Sequence, residues 1–295
     1  MIRLMAATAL ATIALTATPA LAQRAKPLDL SNPADTMTAW RKIQCSAVDD
    51  KPTFFHWSGR QYGRLEGERD RLLFNLEGYN VRQCVTVDTP QGKATRLVTR
   101  EIMLYLDPKT NEVLRTWKNV WTGKDNEVLH VANDPVNQRP MMTANLNLRE
   151  DAGKMFWNIE VPLLYDSPLG GDYQKFVGGQ YQAVEIFNFM MDKADLLDRR
   201  KAEADSTVVS WVRIAPWLPW MEMGDRPGMM FANATGRKIA TFAELPAVLR
   251  DEVLKNYPEY TSPPPGNDPR PNETSWTVFQ KWLEKKGWKP AAKGH

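Results

Sequence analysis

The sequence predicts a mainly β protein: an antiparallel barrel, lipocalin-like or related, of about nine strands, with an N-terminal helix and C-terminal helices. Three observations carry that expectation. From Thr53 onward, apolar residues recur with period two in runs of strand length. Turn chemistry separates most of those runs. No strand–helix alternation of the doubly wound kind is visible.

The elements follow in order. Met1 to Ala22 reads as a cleavable export signal: Arg3 is the positive start, Leu4 to Thr18 is uncharged and apolar or small, and Pro19 precedes an Ala20-Leu21-Ala22 cleavage site. The expected product is periplasmic or secreted and leaves the membrane once the signal is removed. Asn32 before Pro33, with Asp35 beyond, marks a helix start, and Met37, Trp40 and Ile43 form its apolar stripe. Strands are expected at Thr53–Arg64, Arg71–Asp88 (one or two, interrupted near Gly78), Thr95–Leu106, Glu112–Lys118, Glu127–Asn133, Lys154–Leu164, Tyr181–Met191, Ser206–Ile214 and Met229–Ala232. The third and fourth form a hairpin around Asp107–Asn111. A helix returns at Pro246–Lys255. The run Ser262–Pro271 is an extended linker, because proline prevents regular pairing. Ser275 caps a last helix, Trp276–Lys286, which Gly287 ends. The domain reading is a signal over 1–22, a barrel domain with its helix over 23–260, a proline-rich linker over 261–273, and a helix and tail over 274–295.

Composition narrows the class. Hydrophobic residues make up 43% and charged residues 25% of 295, an ordinary globular balance. The formal charge of +3 becomes +2 when Arg3 leaves, and the basic residues are scattered, which argues against nucleic acid as a partner. Eleven tryptophans are many for this length. They fit core packing, and they equally fit a pocket for a flat, apolar ligand. Cys45 and Cys84 pair in an oxidising compartment or stay as buried thiols. A disulfide there contributes roughly 3–4 kcal/mol in the chain-entropy model.

Several strands are apolar on both faces. Tyr181, Ala183, Phe187, Phe189 and Met191 share one face with Glu185. Val184, Ile186 and Met190 lie on the other. Val98, Ile102, Leu104 and Leu106 share a face with Arg100, and Leu97, Met103 and Tyr105 share theirs with Glu101. Trp211 and Arg213 alternate with Val212 and Ile214. Such strands are covered on both sides. Charges on those faces are paired, as Arg100 or Arg213 with Glu185, or they line a lumen that receives a ligand.

No G-x-S-x-G, Walker, Rossmann, H-E-x-x-H or C-x-x-C motif occurs, and the Gly170-Gly171 and Gly178-Gly179 pairs read as turns. The three histidines, His56, His130 and the terminal His295, have no metal spacing, so neither a metal nor a cofactor is expected. The densest segment runs from Val128 to Asn137. There His130 sits where an apolar strand becomes a polar turn carrying Asn133 and Asp134. Histidine exchanges protons near neutral pH. His130 is therefore the candidate proton-transfer residue, with Asp134, Glu101 or Glu185 orienting it. The plain alternative is a core histidine beside an Asx-type turn. Arg100 or Arg213 is placed to hold an anionic group, and His56, Trp57, Tyr105, Trp121, Trp211 and Asn133 are the further binding candidates. The segment Arg213–Met221 reads as a rigid aromatic edge.

Five segments together carry a resemblance: Tyr79-Asn80-Val81-Arg82, Arg100–Pro108, Trp117–Gly123, His130–Asn137 and Trp217–Gly224. They resemble the bacterial proteins of the domain of unknown function numbered 1838. Val120 stands where that pattern has proline. The resemblance implies export for many members and no established activity, so it assigns no residue a role. The leading expectation is an exported barrel that takes a small apolar or aromatic molecule and transforms it as a cofactor-free lyase or isomerase. The alternatives are a carrier without turnover and a homo-oligomeric interaction protein.

Overall fold

The computed structural model describes residues 26–169 and 178–289; the expected signal, the Gly170-Gly171 pair and His295 lie outside the described residues. Helix α1 (Pro33–Gln44) begins where Asn32 Oδ1 accepts from the Ala34 N–H at 2.9 Å. Eleven strands are described: β1 (Thr53–Arg64), β2 (Arg71–Thr89), β3 (Gly92–Leu106), β4 (Thr116–Lys118), β5 (Asp125–Glu127), β6 (Val131–Asn133), β7 (Arg149–Asp151), β8 (Lys154–Asp166), β9 (Gln180–Asp192), β10 (Val208–Ala215) and β11 (Met229–Ile239). Helices α2 (Lys193–Leu197), α3 (Ala247–Asn256) and α4 (Ser275–Lys285) complete the set.

Nine strands form one antiparallel sheet in the order β6-β3-β2-β1-β11-β10-β9-β8-β7, while β4 and β5 pair separately. The chain is therefore mainly β, but the expected barrel is not closed. In a flat sheet β3 and β9, five strands apart, would be about 24 Å from each other. Here Met103 of β3 and Ala183 of β9 share one core, so the sheet curls strongly. It stops short of closure because other segments take up its edges. Beyond the three residues of β6, the edge of β3 bonds to an irregular strap: Val136 N–H donates to Thr99 O, Gln138 N–H to Leu97 O, and Thr95 bridges Met141. At the other edge Pro162 in β8 lacks the N–H that a further ladder needs.

Four other expectations change. Arg71–Asp88 is one strand, and Gly78 does not interrupt it. A Cβ there would lie 2.4 Å from the Trp57 ring, and one at Gly236 would lie 2.6 Å from Trp57 Cβ. The two glycines seat that indole. Glu112–Lys118 is no hairpin partner for β3; only Val113 bridges Leu106, and Thr116–Lys118 pairs with β5. The last strand continues past Ala232 to Ile239, because two neighbours, β1 and β10, hydrogen-bond it through its polar stretch. Thr274, not Ser275, caps α4.

The concave face of the sheet is packed at both ends. At one end α1 brings Trp40 and Ile43 against Phe55, Leu97, Trp157 and Phe189, and a Cys45–Cys84 disulfide (Cα–Cα 5.9 Å) ties the helix to β2. At the other, Trp217, Trp220 and α4 residues Trp276 and Phe279 cover Tyr105 and Tyr181. Outside, Leu245, Leu249 and Val253 cover Tyr79, Ile102 and Leu104. That contact accounts for the two apolar faces of β3. The outer face of β9 is not covered in this way: Met190 is exposed, as is Leu164 further along the ladder on β8. The proline-rich run lies against the sheet, where Gln83 Nε2 donates to Pro264 O and Arg96 to Gly266 O and Asp268 O.

Candidate functional site

Between its two packed ends the concave face keeps a half-exposed band: Trp57, Glu101, Ile159, Glu185, Phe187, Trp211 and Arg213. Strand register brings its polar members together. Glu101 of β3 lies opposite Asn80 of β2 and Asn133 of β6. Arg82, two residues along β2, is its diagonal neighbour on the same face. Across the concavity Arg213 of β10 lies opposite Glu185 of β9. Trp57 and Trp211 form the aromatic floor, with ring centroids 5.4 Å apart.

The electrostatics follow from that placement. Burial, then the neighbouring Glu185, raises the Glu101 pKa above the ordinary glutamate value; Arg82, a hydrogen bond from Asn133 and Arg213 oppose the rise. Glu101 keeps part of its surface, yet protein surrounds it densely enough for desolvation to dominate. Burial pushes Arg82 down to about 10 against the pull of Glu101. At Arg213 burial opposes the charge, but Tyr181 and Glu185 outweigh it and the pKa is raised. Arg213 Nη2 donates to the Tyr181 hydroxyl at 2.5 Å. Its Nε lies 3.4 Å from Glu185 Oε1, an ion-pair distance, but makes no hydrogen bond.

Among the described residues eight buried side-chain polar atoms lack a hydrogen-bond partner, and three gather here: Arg82 Nε, Asn133 Oδ1 and Arg213 Nε. Deeper in, an internal cavity of about 10 Å³ lies among Gln61, Met103, Tyr105, Trp211 and Arg213, room for a single water. The concave face is thus filled at depth and open only along the band. A carboxyl that holds its proton to higher pH than an exposed glutamate can both donate and accept one. Set beside an ion pair and an aromatic floor, it suits proton transfer on a bound molecule.

The remaining candidates from the sequence lie elsewhere. His130 accepts at Nδ1 from the Tyr105 N–H at 3.1 Å, and its Nε2 is among the unpartnered atoms. Burial, then Arg115, pushes its pKa down to about 4, and its charged neighbours are Arg115 and Glu252 of α3 rather than Glu101 or Glu185. Asp134 pairs with Arg100 (2.9 Å) and Arg270 (2.9 Å). Arg100 also donates to the Glu259 and Ser262 carbonyls, so it ties the sheet to the chain after α3. His56 pairs with Glu77 at 2.7 Å on the opposite face of the sheet from Trp57. Trp121 packs on Trp217 (5.0 Å) and donates to Glu68. The structure brings together Glu101, Glu185, Arg213, Asn133, Trp57 and Trp211, with Tyr105 at the base. It does not bring His130, Asp134, Arg100, His56 or Trp121 to them. Among the described residues no group of three or more His, Cys, Asp or Glu is placed to hold a metal ion.

Reading the sequence for sites missed Arg82, Asn80 and Tyr181. A signal was present: Asn80 and Arg82 share a period-two face with Phe74, Leu76 and Cys84, while Leu73, Tyr79 and Val81 make the other face apolar. A strand with two such faces is covered on both sides, which places Asn80 and Arg82 in an interior.

A family model described as protein of unknown function (DUF1838) matches residues 50–283, most of the chain, and the chain belongs to that family. No curated protein and no solved structure matches it.

Proposed function

We propose that this member of the DUF1838 family is an exported protein that takes a small, largely apolar or aromatic molecule on the concave band and transfers a proton on it without a cofactor, as a lyase or isomerase. The Cys45–Cys84 disulfide is compatible with an oxidising compartment, and among the described residues no helix is long and apolar enough to cross a membrane. The observation that carries the reading is Glu101, a carboxyl with raised proton affinity on the same concave face as Trp57 and Trp211 and within electrostatic reach of Glu185 and Arg213. The ligand's apolar body lies over Trp211 and Phe187, which keep part of their surface exposed. Glu101 gives or takes the proton, and Glu185 with Arg213 balances the charge that develops.

A turnover screen of aromatic substrates on purified protein, followed by Glu101→Gln, tests this. General acid–base groups contribute roughly 10²–10⁴-fold in rate. The Glu101→Gln variant is expected to lose activity on that scale, while His130→Gln stays within about twofold, well below that range. The opposite ranking moves the proton transfer to His130. Saturable binding without turnover makes the chain a carrier. A second reading, assembly with copies of itself, is supported by Leu164 and Met190, which lie exposed on the outer face of β8 and β9; a monomer mass in solution removes it.

A further inference from the structure

We infer that the molecule taken by the concave band carries a carboxylate, held between Arg82 and Arg213. This inference rests on the reading of that band as a ligand site and names the polar end of the ligand. It starts from the atoms that the fold leaves unmatched. In the band, the two buried donors without a hydrogen-bond partner, Arg82 Nε and Arg213 Nε, are both guanidinium N–H groups. They stand on opposite walls of one concavity, Arg82 on β2 beside Glu101 and Arg213 on β10 beside Glu185. A buried donor without an acceptor costs roughly 1–3 kcal/mol, more when charged, so a group that satisfies both is strongly favoured.

The chemistry of that group follows. A hydrocarbon or bare aromatic ring satisfies neither donor. A hydroxyl or amide offers one neutral acceptor. A carboxylate offers two anionic oxygens, and charge-assisted bonds from guanidinium groups are about twice as strong as neutral ones. The remaining polar contacts agree. Tyr181 already accepts from Arg213 Nη2 and Gln44 from Arg82 Nη1, which orients both guanidinium groups; Arg82 Nε is left without a hydrogen bond, and so is Arg213 Nε, which faces Glu185 Oε1 at 3.4 Å. The Arg82 guanidinium is further held over the Phe55 ring at 4.6 Å. Two carboxylates, Glu101 and Glu185, face the two arginines, so a third anion requires one of them to take up a proton. Glu101 is the group suited to do so: burial and Glu185 both favour its neutral form. One proton enters with the anion, and the concavity gains no net charge.

The test uses the chain from Gln23 onward and three probe pairs: benzoate, 2-naphthoate and indole-3-acetate, each against its own primary amide, with affinities from titration calorimetry. At least one acid is expected to bind about tenfold or more tightly than its amide, a difference of roughly 1.4 kcal/mol. Arg213→Gln is expected to bring that ratio to about one by weakening the acid alone. Arg82 also holds Gln44 and lies over the Phe55 ring, so Asn133→Asp replaces it as the second variant. It is nearly isosteric and puts a negative charge where the ligand's would lie, and it is expected to abolish the preference while circular dichroism stays that of the parent. Equal binding of acid and amide by the parent overturns the inference and leaves the ligand site standing. So does a preference that survives both variants. Failure of all six probes to bind overturns the ligand site itself, and the carboxylate inference with it.

Discussion

Two buried polar clusters in this molecule are built from similar groups and end differently. Beneath α1, Lys42 Nζ donates to the carbonyls of Asp195 (3.0 Å), Leu196 (2.6 Å) and Asp198 (2.8 Å). Lys238 Nζ donates to Lys42 O (2.6 Å) and Cys45 O (2.9 Å) and lies 3.4 Å from Glu203 Oε2. Each ammonium has three donors, and each finds three acceptors. Burial lowers the pKa of both, that of Lys238 to about 8. In the concave band the guanidinium groups of Arg82 and Arg213 and the amide of Asn133 each keep an atom unmatched. The closed cluster fastens α1 to the chain around α2 and to β11. The open one has hydrogen-bonding capacity that the protein does not use on itself. Completeness of hydrogen bonding, more than the presence of buried charge, separates an anchor from a site.

The largest test of that contrast is Lys42→Met. It leaves three buried carbonyls without their donor and is expected to cost roughly 3–5 kcal/mol. Urea unfolding measures it, and a loss under about 1 kcal/mol would show that the cage is not an anchor. Next comes the disulfide in the same region. The double variant Cys45→Ala with Cys84→Ala is expected to lower stability by roughly 3 kcal/mol. An unchanged urea midpoint would mean that α1 is held by its packing and the lysine cage alone.

The smallest effect is expected in the open cluster. Glu101→Gln removes a carboxyl whose charge the site disfavours, so stability near neutral pH should change by under about 1 kcal/mol. Its pH dependence carries the sign. A folded pKa raised above the unfolded 4.5 means that the folded state binds the proton more tightly. That contribution is fully present below 4.5 and is lost as pH rises through the raised value. The parent should therefore lose stability relative to the Gln variant across that window. Parallel curves for the two proteins would place Glu101 in an ordinary, solvated environment.

Legibility differed along the chain. The start of α1 could be read because Asn32 and Pro33 act locally, one as acceptor and one through its fixed φ. Glu101, Glu185 and Arg213 stood out because each interrupts an otherwise apolar face, where a charge needs a partner or a wet cavity. His130 drew attention for a local reason too, the meeting of strand and turn. The register of β6 on β3 then turned it toward Arg115 and Glu252 and left Asn133 beside Glu101. Gly78 was misread because a glycine within a strand signals either a break or a close approach, and only the position of Trp57 distinguishes them.

The sequence by itself determined that this protein is mainly β, where most of its long strands lie, and that charged groups are carried on inward faces. Those properties follow from period and turn chemistry, which act within a few residues. The tertiary structure alone decided that the sheet stays open, which charges share the concavity and which atoms there remain unmatched. Each of these depends on strands far apart in the chain: closure on what the edges of β3 and β8 meet, and the site on the curl that brings Arg82 and Glu101 across from Glu185 and Arg213. No local pattern encodes such a curl, because it is the sum of small twists over five strand neighbours and of two glycines that make room for Trp57.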